Sequence, residues 1–422
     1  MSSIAITFIV LAVCLISSVP IAVSLGICSA VGIWLMDIPI SMFTQRLYST
    51  FNSIPLLAVP FFLLSGDIML HGTLSKSLLD MCRTTAGHIR GGLGHISFVT
   101  CLFYGALCGS SAACTAAVGG TMIPAMEEEG YPKDFAVAVN TTGGLLANFI
   151  PPSVGLILAG SIGGVSIADL FIGSIVPGLL ACALWLAVVY YYARTRGYGI
   201  IHPKQGWKSR LEGMWKAKLA LGMPIVILGL IYTGVATPTE AGAAACVYGF
   251  IVETFITKSL NWQKFKKICI STIYTTGMVI FIVISANALG VVISTFQVTD
   301  KLLHLLTSIA PNQAALIFIL LIFYLIVGCF LEGAAIILIV TPILVPIALS
   351  YGFDPRHFLI FQGMAVAVGL ITPPVGTNLF VGCTIGDIGL VQLSKATLPF
   401  ILALIVAVII TGFVPWLSLC LL

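Results

Sequence analysis

Apolar positions in this chain neither alternate nor recur every third or fourth residue. They fill long runs separated by short polar joints. A run of about 20 apolar residues is the length that crosses a hydrocarbon core. Residues 4–36 are nearly uncharged and are interrupted at Ser17-Ser18-Val19-Pro20, which predicts two short helices, 4–18 and 20–36. Residues 51–70 make a further span. The segment SKSLLDMCRTTAGHI (75–89) mixes Lys76 and Arg83 with Leu78, Leu79, Met81 and Cys82, the pattern of an amphipathic helix lying in the interface. More spans are predicted at 134–164, 167–193, 219–235, 238–257, 268–296, 358–386 and 397–421.

Two runs are too long to be single spans. Residues 91–126 would make a helix of about 54 Å at ~1.5 Å per residue, against a core of ~30 Å. This run must turn back inside the membrane. Gly109-Ser110-Ser111 lie near its centre, and Glu127, Glu128 and Glu129 return it to water. Residues 313–350 break in the same way at Glu332-Gly333. Both read as re-entrant hairpins.

Two predicted spans also contain paired prolines, in NFIPPSVGL (148–156) and LITPPVGTNLF (370–380). A proline pair stops a helix, and a stopped helix in lipid leaves backbone groups without partners. The two pairs are 222 residues apart (373 − 151 = 222). The same offset relates Pro124 to Pro346, Gly130 to Gly352, Gly164 to Gly386, Pro177 to Pro399, and one hairpin tip to the other. The chain therefore carries an internal duplication.

Charge sets the orientation. Residues 194–218 hold Arg194, Arg196, Lys204, Lys208, Arg210, Lys216 and Lys218 against Glu212 alone, and Lys258, Lys264, Lys266 and Lys267 form a second basic joint. Both are cytoplasmic by the positive-inside rule. Counting crossings from them places the two hairpins on opposite sides, so the duplication is inverted. The expected architecture is an all-α polytopic membrane protein of ten spans and two re-entrant hairpins, with both termini outside. Residues 1–193 form one repeat, 194–218 a cytoplasmic loop and 219–422 the other repeat.

Composition agrees: 59% of the 422 residues are hydrophobic and 8% charged, where soluble domains carry about 25% charged residues. The N-terminus lacks a basic region and a small-residue cleavage site, so it reads as a retained helix. The 12 cysteines are scattered without a CxxC pair, and no HExxH is present. They read as small apolar residues inside membrane helices. No cofactor, no nucleic-acid partner and no enzymatic activity are expected, since no catalytic set appears at membrane depth. The net charge of +4 is clustered in the loops.

Broken helices at the midplane of an inverted repeat are tolerated where they line a cavity. Unwound carbonyls there coordinate small cations, and half-helix N-termini face anionic substrates. This points to a transport site.

At these residues the chain resembles the large membrane subunit of the tripartite ATP-independent periplasmic (TRAP) transporters, nearly end to end. The resemblance rests on PLLAVPFFLLSGDIM (55–69), HIRGGLGH (88–95), IPAMEEEGYP (123–132), IPPS (150–153), TPTEAGA (237–243) and TPPVG (372–376). It implies an elevator mechanism, Na⁺ as coupling ion, a small four-helix membrane subunit, and a periplasmic substrate-binding protein that delivers an organic acid across the bacterial inner membrane. No nucleotide-binding motif is present, which argues against ATP drive. A stand-alone Na⁺/dicarboxylate-type symporter of related architecture is the alternative. The sequence departs from the family at Cys114, where the family often has Asp, and at Ala147-Asn148, where it often has Gly-Pro. Glu332 stands where the family often has Asp, and keeps the charge.

Hard cations take several oxygen ligands. The first Na⁺ site is expected at Ser110 and Ser111 with backbone oxygens around Asn148, Ile150 and Pro151. The second is expected at the carbonyls of Gly328, Gly333, Gly369 and Val375 with the Thr372 hydroxyl. Glu240 and Glu332 are acids inside apolar runs, where a carboxylate is costly and usually functional. Both are candidates for the substrate site, with Pro152, Pro373 and Asn378.

Overall fold

A computed structural model describes residues 3–17, 19–37, 39–51, 53–74, 77–78, 81, 90–200 and 206–422. Among these residues the regular structure is all helical. The N-terminal part comprises α1 (Ser3–Ile16), α2 (Ile21–Leu35), α3 (Ile40–Phe51), a 3₁₀ turn (Ile54–Leu57) and α4 (Ala58–His71). The first hairpin is α5 (Gly92–Cys108) and α6 (Ser111–Glu128). The interrupted span after it is α7 (Lys133–Gly144), the single turn α8 (Leu146–Phe149) and α9 (Val154–Gly163), followed by α10 (Ile167–Arg196). Then come α11 (Trp207–Lys216), α12 (Lys218–Tyr232), α13 (Pro238–Ile251) with a π-turn (Val252–Ile256), α14 (Trp262–Thr295) and α15 (Val298–Ile309). The second hairpin is α16 (Gln313–Gly328) and α17 (Gly333–Ser350). Last are α18 (Pro355–Leu370), α19 (Thr377–Gly386), α20 (Leu390–Phe413) and the short α21 (Trp416–Leu419).

Both long runs break where the glycines and hydroxyls fall. Gly109 takes a left-handed conformation (φ 59°) to reverse the chain, and the second run is open at residues 329–332 between α16 and α17. Paired prolines open the interrupted spans, whereas single ones at 124, 177, 224, 342, 346 and 399 lie inside continuous helices. Seven helices among the described residues are long and apolar enough to cross a membrane, or eight if α15 and α16, bent by 114°, form one span. The segments 4–18, 20–36 and 219–235, read as spans, are helices of 14, 15 and 15 residues. At ~1.5 Å per residue each is about 22 Å long, less than the ~30 Å core.

Other boundaries differ from the sequence reading. α14 starts at Trp262 rather than 268, since Lys264, Lys266 and Lys267 extend its first turns into polar surroundings. α20 covers 390–413 instead of 397–421, and the chain leaves it at Val414-Pro415. Helices α3, α11 and α15 were not foreseen. The interfacial helix expected at 75–89 lies mostly outside the described residues.

Two bodies are distinguishable by burial. Helices α7 and α18 are buried on every side over Phe135–Gly144 and His357–Leu370. Around them pack the hairpins, α9, α10, α19 and α20. Trp185 on α10 stacks on Phe98 at 5.4 Å, and its indole N–H donates to the Phe400 carbonyl at 3.0 Å. The second body is α1–α4 with α12–α14, held by small residues. The Ser29 hydroxyl meets the Ser285 carbonyl at 3.3 Å, Gly32 faces Val292, and the Cys246 thiol donates to the Phe61 carbonyl at 3.0 Å.

The duplication appears as exchanged contacts. Gly119 on α6 faces Ile385 on α19, and the residues 222 positions away, Thr341 on α17 and Gly163 on α9, face each other too. Contacts related by such an exchange are those of a two-fold axis. Helix α9 runs antiparallel to α18: Leu156 faces Gly363 and Gly163 faces Leu359.

Candidate transport site between the hairpin tips

A cavity of ≈ 1010 Å³ opens where the two hairpin tips, both interrupted spans and α14 meet. It extends to the α1–α2 turn at Ile16–Ile21. Most of its polar groups come from the breaks, and Thr275 adds a hydroxyl from α14. Ser110 caps α6, its Oγ accepting from the Ala113 N–H at 3.5 Å. Ser153 caps α9, accepting from the Leu156 N–H at 3.4 Å and donating to the Asn148 carbonyl at 2.6 Å. In the second repeat the Gly376 N–H donates to the Cys329 carbonyl at 2.9 Å, and the Cys329 thiol to the Pro373 carbonyl at 3.3 Å. The second tip is thus strapped to the proline break beside it, while the first packs on its break through Gly109, which lies against Pro152 and Val154.

The N-termini of four helices line this one space: α6 through Ser110–Ala112, α9 through Val154 and Gly155, α17 through Glu332–Ala334, and α19 through Thr377 and Asn378. Helix N-termini carry partial positive charge and unsatisfied N–H groups, so they favour an anion. Asn148 adds an amide whose Nδ2 is buried without a protein partner. Among the described residues Glu332 is the only charged side chain on the lining, and no Lys or Arg reaches it. The remaining wall is apolar: Leu63, Met278, Val279 and Ile282 from α4 and α14, and Ile326 and Phe330 from the second hairpin.

Of the residues singled out from sequence, Ser110, Ser111, Asn148, Glu332, Gly333 and Asn378 line the cavity. The others do not. Ile150, Pro151 and Pro152 are buried behind the first tip. Gly328 and Gly369 meet backbone to backbone: a Cβ on Gly328 would lie 2.6 Å from the Gly369 Cα, so their visible role is close packing. The Thr372 hydroxyl donates to the Val368 carbonyl at the end of α18 at 2.7 Å. Val375 sits in the second break off the cavity lining, and Pro373 faces outward.

Glu240 requires a correction. It lies outside the cavity in a capping box at the start of α13, its carboxylate accepting from the Thr237 N–H and hydroxyl, both at 2.8 Å. Asn378 is on the lining, but its amide is engaged. Nδ2 donates to the Thr141 carbonyl at 2.7 Å and to the Thr115 Oγ at 3.1 Å, tying α19 to the other repeat.

Sequence reasoning missed the α14 wall, Thr275 to Ile282, which an even apolar span does not mark. It also passed over Glu253, although an acid at the end of an apolar run is the same signal that picked out Glu240 and Glu332.

The sequence profile of the family described as "Tripartite ATP-independent periplasmic transporter, DctM component" matches residues 8–417. The chain is a TRAP-transporter large membrane subunit. A similar relative is the C4-dicarboxylate TRAP transporter large permease protein DctM of Pseudomonas aeruginosa, 36% identical over 400 residues, covering 94% of this chain and 93% of that one. The isethionate TRAP transporter permease protein DctMQ of Oleidesulfovibrio alaskensis is 36% identical over 402 residues, 95% of this chain. The match spans 63% of the length of that relative. The sialic acid TRAP transporter large permease protein SiaM of Vibrio cholerae is 30% identical over 382 residues, covering 90% of this chain and 89% of that one. Among solved structures, the YdaH transporter of Alcanivorax borkumensis, whose crystal structure is described as having an unusual topology, superposes with a TM-score of 0.65 at 16% identity. The superposition covers 90% of this TRAP subunit and 89% of YdaH, which establishes a shared fold. The multi-pass membrane character of the TRAP subunit follows from its family and its apolar helices together.

Proposed function

We propose that this chain moves an organic acid into the cell across the bacterial inner membrane by Na⁺-coupled secondary transport. In this reading it works with a small membrane subunit and a periplasmic substrate-binding protein. The observation that carries the proposal is the convergence of four helix N-termini on a cavity whose only charged side chain among the described residues is Glu332.

Four N-termini and the Asn148 amide attract an anion; Glu332 repels it. Two negative charges sharing a site of low dielectric disfavour each other strongly. A cation bound beside Glu332 removes that repulsion, so anion and cation bind better together than apart. This is the electrostatic basis of symport. Ser110, Ser111, the Asn148 region and the second tip at Glu332-Gly333 offer hydroxyl and carbonyl oxygens for it. Ile150, Pro151, Gly328, Gly369, Thr372 and Val375 keep their proposed places as backbone or hydroxyl ligands only if the tips tighten when the ion binds. TRAP relatives named for isethionate, C4-dicarboxylate and sialic acid support an organic acid as substrate.

The elevator reading takes α1–α4 with α12–α14 as scaffold and the hairpins with α7, α9, α10 and α18–α20 as the moving body. The seam between them supports it. A second cavity of ≈ 330 Å³, lined by Ser49, Thr50, Ser161, Asn287 and Ser294, separates α9 from α3 and α14. A hydroxyl-lined seam slides at lower cost than an interdigitated apolar one.

The test is uptake by proteoliposomes holding this chain, with and without a small membrane subunit and a binding protein from the same operon, across a panel of organic acids. Uptake that needs both partners and an inward Na⁺ gradient supports the proposal. Uptake by the chain alone contradicts it in favour of a stand-alone symporter, and uptake indifferent to Na⁺ contradicts the coupling.

A further inference from the structure

Glu253 is the only Asp or Glu among the described residues that is wholly buried, and it lies away from both cavities. It sits in the π-turn that ends α13. Its Oε1 accepts from the Leu74 N–H at 3.0 Å. Its Oε2 accepts from the Thr73 N–H at 3.2 Å, the Thr73 hydroxyl at 3.3 Å, the Thr257 hydroxyl at 2.6 Å and the Ser259 hydroxyl. Its own carbonyl takes the N–H groups of Ser259 and Leu260 at 2.9 and 3.0 Å. A buried carboxylate is costly unless hydrogen bonds satisfy it, and here donors from two separate stretches of chain do so.

The position is specific. Residues 72–74 are where the chain leaves scaffold helix α4 on its way to the first hairpin at Gly92. Gly72 leaves the space the carboxylate fills, since a Cβ there would collide with both carboxylate oxygens. The second repeat has no equivalent. Position 31 (253 − 222) is Val31, and residues 294–296 (72–74 plus 222) run directly into Gln297 at φ 52°.

We propose that Glu253 is a positioning residue for transport. It ties Thr73 and Leu74, just past the C-terminal end of α4, to the end of α13, and so fixes where the chain leaves the scaffold. At the corresponding place in the second repeat the chain turns at Gln297, with Val31 in the position of Glu253. The consequence for transport rests on the elevator reading; the anchor itself does not.

The experiment is amide hydrogen exchange on the purified full chain, paired with uptake by the reconstituted system. Glu253→Gln keeps the size of the side chain but aims an N–H₂ at donors. Gly72→Ala leaves Glu253 intact and displaces its carboxylate. In both variants, exchange at Thr73 and Leu74 is expected to rise at least tenfold, with residues 242–249 of α13 unchanged. The maximal uptake rate is expected to fall about tenfold, with the half-saturating substrate concentration within twofold of wild type. Thr257→Val, which removes one hydroxyl from the carboxylate, should give a smaller rise in the same peptide. It keeps the test open where the other two do not fold. Unchanged exchange at 73–74, or an equal rise along α4 and α13, would overturn the anchor. Wild-type uptake in a variant with the raised exchange would overturn its role in transport. If wild type takes up nothing, the transport reading fails and the exchange result still decides the anchor.

Discussion

Asn148 illustrates what a single residue contributes at this site. Its Nδ2 is buried on the cavity wall with no protein acceptor. An unpaired buried donor costs roughly 1–3 kcal/mol, so removing it should not destabilise the fold. Asn148→Ala is expected to leave the melting temperature within about 2 °C or raise it, and to weaken substrate binding by about tenfold, ~1.4 kcal/mol. Thermal melts and the half-saturating concentration for uptake check the two halves separately. Much of this was legible in the sequence, because a hydroxyl, an amide or an acid at a forced break has few other reasons to be there. Glu240 was misread for a local reason. Thr237 and Glu240 are spaced as a capping box, and that pairing, not the apolar run after it, determines where the carboxylate goes.

At the scale of elements, the breaks were readable and the amphipathic helices α3 and α15 were not. A 36-residue apolar run exceeds the bilayer, and a proline pair stops a helix, so both deductions follow from length and backbone chemistry alone. Helices α3 and α15 carry polar residues along one face and never form an apolar run, so a search for spans passes over them. The wall that α14 contributes depends on which helix packs beside the tips, and no local pattern encodes that. Close packing at the breaks yields a sharp contrast. Gly369 on α18 meets the backbone of Gly328, whereas Gly277 on α14 has nothing within 4 Å of where a Cβ would be. Gly369→Ala is expected to cost at least ~2 kcal/mol or to prevent folding, because backbone has to move. Gly277→Ala is expected to stabilise by about 0.5–1 kcal/mol, the helix propensity gained. Melting curves of the two proteins in one detergent decide this.

For the whole molecule, the duplication is the organising fact. Two copies packed by exchanged contacts bring both tips and both proline breaks to one cavity, so four helix N-termini that are remote in sequence act together. The symmetry is incomplete where function asks for difference. Ser110 corresponds to Glu332, Asn148 to Leu370, and Glu253 to Val31 under the offset of 222. The first tip therefore offers neutral oxygen and amide groups and the second a negative charge. The proposed co-binding of an anion and a cation rests on that inequality.

The most direct test is the mutual dependence of Na⁺ and substrate binding in the purified subunit, measured by titration calorimetry with an acid identified in the uptake panel. Linkage requires that each ligand raise the affinity for the other by the same factor. We expect a factor of at least ten, ~1.4 kcal/mol, in wild type, falling to below threefold in Glu332→Gln because the repulsion that Na⁺ relieves is gone. Equal substrate affinity with and without Na⁺ in wild type, or coupling unchanged in Glu332→Gln, would contradict the account.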